Sequence, residues 1–175
     1  MGNESKSWYA IRVRSRCEKL ASEELRIRGF CILPAIAPQR RVWADRIRVV
    51  KMPLFPGYIF GQFRVTDRVR VESSPGVASV VRFGPYDAPI DPEEIDAVRL
   101  LAGSGQEVMR TRSLPVGSRV RVSSGPLKGA QGFLVEMKNR FQLVVSVSIL
   151  QRSVAVEIDE AMVEVIPRPS RVGAA

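Results

Sequence analysis

Met52-Pro53-Leu54-Phe55-Pro56-Gly57-Tyr58-Ile59-Phe60 passes from loop to strand in one short stretch. Its two prolines bar a central strand before Gly57, because proline donates no ladder hydrogen bond. From Tyr58 to Phe63 the pattern becomes a strand, and alternation sets Tyr58 and Phe60 on one face with Ile59 on the other. Upstream, residues 34–51 carry two basic stretches, around Arg40-Arg41 and Arg46-Ile47-Arg48, and fit a hairpin turning at Ala44-Asp45. Before them lies a short strand from Phe30 to Leu33. It follows a helix whose apolar stripe is Cys17, Leu20, Ala21 and Leu25. Glu18, Glu23 and Glu24 come early in that helix and Arg26 and Arg28 late, which suits its dipole, and Gly29 is a plausible stop. Trp8 to Arg14 reads as a half-buried strand with Arg12 and Arg14 facing away from Ile11 and Val13.

Downstream, Thr66 to Glu72 is expected as a short helix and Val77 to Phe83 as a strand. Asp91-Pro92-Glu93-Glu94 is a helix start: an N-cap Asp, Pro at the first helical position and Glu three residues after the cap. This acidic cluster reads as a cap, with a catalytic carboxylate pair as the weaker alternative. The helix should run to about Leu101.

The remainder reads as a second, all-strand module. Strands are expected at Ser118–Val122, Gln131–Met137, Phe141–Ser148, Val154–Ile158 and Met162–Ile166. Gly125-Pro126, Lys138-Asn139 and Asp159-Glu160 are the turns between them. Five short strands imply a small barrel, which closes to remove its edges. The glycines of Gly125–Gly132 are expected to serve tight turns, since no GK[ST] follows to make a phosphate loop. The organisation is therefore a disordered start at 1–6, a first module at 7–103, a linker at 104–113, a second module at 114–167 and a disordered tail at 168–175.

Composition narrows the function. The chain has 175 residues, 45% of them hydrophobic, no His and 2 Cys. Without His there is neither the commonest general base nor a partner for a Ser or Cys nucleophile, and no catalytic residue or enzyme activity is expected. Cys17 and Cys31 make no zinc motif and read as buried thiols of a reducing compartment, so no metal and no cofactor is expected. The net charge is +9, and residues 1–82 carry the whole excess while residues 83–175 balance. A basic half beside a neutral half points to a polyanion near one module only. No stretch is apolar for long enough to span a membrane, and the start lacks a signal-peptide core. A cytoplasmic monomer is expected.

Several of these stretches, taken in order, resemble the NusG family of transcription elongation factors. They are Ser7-Trp8-Tyr9, Pro53 to Phe60, Pro75-Gly76-Val77 and Val81-Arg82-Phe83-Gly84. In the second module they are Gly117 to Val122, Gly125 to Gly132, Val145 to Leu150 and Val156-Glu157-Ile158. The resemblance implies an α+β fold. Its N-terminal domain would have a four-stranded antiparallel sheet with flanking helices. A linker would join it to a C-terminal, SH3-like, five-stranded KOW β-barrel. It also implies a non-enzymatic factor that binds the clamp helices of RNA polymerase through the first domain, promotes processive elongation or antitermination, and recruits a second partner through the barrel. Leu54-Phe55-Pro56, Tyr58 and Val81 to Gly84 look closer to specialised RfaH-like members, which act at particular operons, than to housekeeping NusG.

On this resemblance Trp8, Tyr9, Phe55, Tyr58 and Phe60 are the candidate polymerase-binding residues, with plain core packing as the alternative for each. Arg12, Arg14, Arg16, Arg40 and Arg41 are the candidate nucleic-acid residues, and Arg14 and Arg16 match positions where specialised members touch non-template DNA. The alternative for these is solvated surface. Leu127 and Leu150 could form the barrel's apolar partner patch. Housekeeping NusG has two Phe in its barrel loops that meet ribosomal protein S10 or Rho. Ala130 and Leu150 stand at those positions here, so that contact is not carried over. Two other readings remain: housekeeping NusG coupling to Rho or S10, and a translation-side KOW RNA-binding protein. Finally, the β-branched run from Phe141 to Ile149 favours a barrel over the helical hairpin that masks the polymerase site in some RfaH-like factors. That site is therefore expected to be open.

Overall fold

Alternation along Trp8-Tyr9-Ala10-Ile11-Arg12-Val13 decides what lies on each side of the first sheet. In the computed structural model, which describes residues 5–111, 117–137 and 140–166, this segment is β1 (Ser7–Val13). There follow α1 (Glu18–Ile27), β2 (Cys31–Leu33), β3 (Ile36–Trp43), β4 (Arg46–Pro53), β5 (Tyr58–Phe63), α2 (Arg68–Glu72) and β6 (Val77–Val80). A small hairpin, β7 (Arg82–Phe83) and β8 (Tyr86–Asp87), leads to α3 (Pro92–Gly103). The sheet is four-stranded and antiparallel in the order β2-β5-β1-β6. The strand expected over 77–83 is broken at Val81, whose amide donates to the Ala10 carbonyl at 2.8 Å.

Tyr9, Ile11 and Val13 point to one face and pack with Ile59, Phe63, Ala21 and Leu25 of α1 and Val71 of α2. Ala10 and Phe60 point to the other face, among Leu54, Phe55 and Ile95, Val98 and Leu101 of α3. This second cluster runs on without a break into the other module, through Val120, Leu143, Val145 and Val154.

That module is an antiparallel sheet of β10 (Ser118–Val122), β11 (Gln131–Met137), β12 (Arg140–Val147), β13 (Arg152–Glu157) and β14 (Val163–Val165), in the order β14-β10-β11-β12-β13. The five strands match the expected barrel. The linker does not match: β9 (Met109–Thr111) adds a sixth strand on the open edge of β13, with Ala155 opposite Met109. An edge strand offers unpaired amides and carbonyls, and a neighbouring extended segment satisfies them. The rest of the expected linker from 112 on, the tail at 168–175 and most of the expected disordered start lie outside the described residues, as does the turn at 138–139.

Gly125 and Gly129 hold the left-handed backbone expected of turn glycines. Gly132 has a different reason. It sits inside β11, where an added Cβ would lie 2.5 Å from the Val144 carbonyl oxygen of β12.

Candidate functional site

Trp8, Tyr58 and Phe60 share the sheet face that looks toward α3 and the barrel. Phe55 reaches the same cluster from the loop before β5 and meets Phe60 edge-on at 5.6 Å between ring centres. Phe55 and Phe60 are fully buried, so only Trp8 and Tyr58 keep partly open surface. Tyr9 is not part of this face. Neighbouring strand residues point opposite ways, so Tyr9 lies under the helices, stacked on Phe63 at 4.8 Å. The grouping of all five aromatics on one surface is corrected accordingly.

The expectation of an open face is corrected as well, because the barrel lies against it. The Arg152 guanidinium sits 5.0 Å from the centre of the Tyr58 ring and donates to the Pro56 carbonyl at 3.3 Å. Arg99 of α3 covers Trp8 in the same way at 5.5 Å. The start of α3 supplies the polar part of the contact. Glu94 accepts from the Ser148 amide at 3.2 Å and from the Ser148 hydroxyl, and Glu93 pairs with Arg119 of β10. Burial pushes the Glu94 carboxyl above its ordinary 4.5, against the lowering effect of the Ser148 hydrogen bonds and with help from nearby Asp91.

Ser148 and Arg152 were not singled out in the sequence. Glu94 had been assigned to the cap. Asp91 alone does that work, accepting from the Glu93 amide at 2.9 Å, and Glu94 turns to the barrel instead. Nothing in the sequence around Ser148 or Arg152 marks them as contacts across so long a separation. The expected Leu127–Leu150 patch also changes. Leu127 is 2% exposed inside the barrel core, and Leu150 packs partly against that core.

The candidate nucleic-acid cations fall into two groups. Arg12 lies directly opposite Tyr58 in the sheet and is exposed. Arg14 and Arg16 lie in the turn into α1, which is tied to the neighbouring loop by the Arg14 amide donating to the Gly76 carbonyl at 2.8 Å. Arg40 and Arg41 belong to β3 and do not join them. Being adjacent, they face opposite sides of the β3–β4 ribbon, and Arg40 is paired with Glu107 at 3.2 Å. No helix among the described residues is long and apolar enough to cross a membrane.

The model of the family described as "Transcription termination factor nusG" matches residues 6–99, more than half of the chain. The chain belongs to the NusG family. Its relatives include the transcription termination/antitermination protein NusG of Borreliella burgdorferi, 26% identical over 93% of this chain and 100% of that one. The Thermus thermophilus protein of the same name is 28% identical over 89% of this chain and 96% of its own length. Among solved structures, "Domain interaction in Thermotoga maritima NusG" is similar across 95% of this chain and all of the other, with a TM-score of 0.51 and 26% identity. The likeness therefore runs through both modules, and the α+β fold with a C-terminal barrel is that of NusG.

Proposed function

We propose that this chain is a non-enzymatic elongation factor that binds RNA polymerase through the sheet face bearing Trp8 and Tyr58, and that the barrel must leave this face first. The observation that carries the reading is Tyr58, a partly open sheet aromatic capped by the side chain of Arg152. Two exposed α-helices, such as the polymerase clamp helices, present apolar side chains between charges. Trp8 and Tyr58 offer aromatic anchors to them, and exposed Arg12 offers a charged rim. Phe55 and Phe60 support those anchors from beneath.

The relatives reported carry the name of the general factor, so the reading proposed is that of a general termination/antitermination factor. Closeness to the RfaH-like branch rests on Leu54 to Tyr58 and Val81 to Gly84 alone. A contact with S10 or Rho would not run through paired phenylalanines, because Ala130 and Leu150 stand at those positions and Ala130 is buried in the barrel core. Non-template DNA would meet Arg14 and Arg16, which stand exposed at the turn into α1.

The test is binding of core polymerase by the full chain. Tyr58→Ala should weaken it by about 2 kcal/mol, the usual cost of truncating an aromatic anchor, with the far-ultraviolet circular dichroism unchanged. A folded Tyr58→Ala chain that binds as tightly as the wild type would remove the proposed surface.

A further inference from the structure

The β3–β4 ribbon is a feature that the polymerase reading leaves unused. From residue 40 to residue 51 both strands are exposed, and the ribbon pairs with no other strand among the described residues. Its register sorts the side chains. Trp43 lies opposite Arg46 and Arg41 opposite Arg48, all on one face. Val42 opposite Ile47, Arg40 opposite Val49 and Lys51 opposite Pro38 lie on the other. One face is thus aromatic and cationic, and the other is largely aliphatic.

The charges on the two faces are treated differently. Arg40, which shares the aliphatic face with Lys51, is paired with Glu107. On the opposite face Arg41 and Arg48 stand directly across from each other, and a like-charge pair at that position destabilises a ribbon. Among the described residues no carboxylate reaches either one; the Arg41 Nε meets only the Met52 sulfur, at 3.3 Å. Arg46 has a loose contact with its neighbour Asp45 at 3.8 Å, both of them exposed. Trp43, 53% exposed, lies beside this cluster with its indole open to solvent.

We propose that this face binds a single-stranded nucleic acid, with Arg41, Arg46 and Arg48 holding phosphates and Trp43 stacking on an unpaired base. Guanidinium forks match phosphate oxygens, and a polyanion relieves the Arg41–Arg48 repulsion that the fold leaves unscreened. An indole beside the cations adds what an acidic peptide does not need and a paired duplex does not offer, a free base face. The surface is separate from the Tyr58 face and from the Arg14–Arg16 turn, so it stands or falls independently of polymerase binding.

The experiment is fluorescence anisotropy of the full chain with labelled single-stranded DNA, single-stranded RNA and blunt duplex DNA over a salt series. Replacing Arg41, Arg46 and Arg48 together by Ala should flatten the salt dependence on single strands by about 2 in log–log slope, the share of three phosphate contacts. Removing the same charge at Lys19, Arg64 and Lys128 should leave the slope near wild type. Trp43→Ala should weaken single-strand binding roughly tenfold and spare the duplex. Whichever of DNA or RNA binds more tightly names the source of the strand. The proposal is overturned if the ribbon and control triples behave alike, if Trp43→Ala weakens duplex and single strand equally, or if polyglutamate competes as well as a single strand of equal charge. Unchanged thermal melting of each variant keeps loss of fold apart from loss of binding.

Discussion

Glu94 turns its carboxylate away from its own helix end and toward Ser148 of the barrel. In the docked state burial raises its pKa, so the protonated form is favoured there relative to a solvated Glu94. The sign of the linkage follows. The contribution of this group to docking is full below 4.5, the value of the free carboxyl, and is lost as pH rises through the raised docked value. Glu94→Gln keeps an acceptor for Ser148 without the charge. It should therefore make docking tighter at neutral pH and flatten its dependence between mildly acid and neutral conditions. Amide hydrogen exchange at Ser148, followed across that range in both proteins, checks this; slower exchange in the wild type at pH 7 would contradict it. Arg152 acts in the opposite sense. Its stack on Tyr58 and its bond to Pro56 are each of the order of 1 kcal/mol, so Arg152→Ala should raise the open population roughly thirtyfold. Access of a small quencher to the Tyr58 ring measures that population.

At the scale of the elements, β1 and β5 were legible because period-2 alternation needs no partner to be read. The same rule separates Trp8 from Tyr9, and applying it strictly would have kept Tyr9 off the proposed surface. The hairpin of β3 and β4 was also legible in its turn at Ala44-Asp45, but its two-faced character depends on which residue stands opposite which. Register is a pairwise property, and a single strand does not carry it. Gly132 shows a similar limit. A glycine among glycines reads as a turn, and only the close approach of the Val144 carbonyl reveals a strand position without room for Cβ. The blocking atom is backbone and cannot swing away. Gly132→Ala should then cost the barrel about 1–3 kcal/mol, the range for overpacking, whereas Ala at Gly103, which faces open space, should be close to neutral. Denaturant unfolding of the two variants separates these outcomes.

At the scale of the whole molecule, two modules were expected and two are present, yet they share one apolar cluster. The sequence shows the apolar residues of each module and not that α3 is apolar toward both. Ile95, Val98 and Leu101 satisfy the pattern of any helix on a sheet. The barrel's position over Tyr58 then follows from long-range contacts such as Arg119 with Glu93 and Arg152 with Pro56, which join residues with no local relation. Charge was more informative: the basic excess of residues 1–82 falls on the sheet module, its turn into α1 and its ribbon, and residues 83–175 add none.

The strand β9 sets the leash between the two modules. Val108 is fixed to the ribbon base by its amide donating to the Pro38 carbonyl at 3.2 Å, and Met109–Thr111 is laced onto β13. While that lacing holds, a barrel that lets go of Tyr58 is tethered to the end of α3 by residues 104–108 alone, a reach of roughly 20 Å when fully extended. A short tether keeps the local concentration of the barrel near the sheet face in the millimolar range. On the proposed reading, polymerase at the Tyr58 face would have to outcompete a neighbour that never diffuses away, and a ligand on the barrel would be carried within one domain diameter of the enzyme. Unlacing β9 lengthens the leash and lowers that concentration, so three residues of strand tune both the strength of the competition and the radius over which a recruited partner can search.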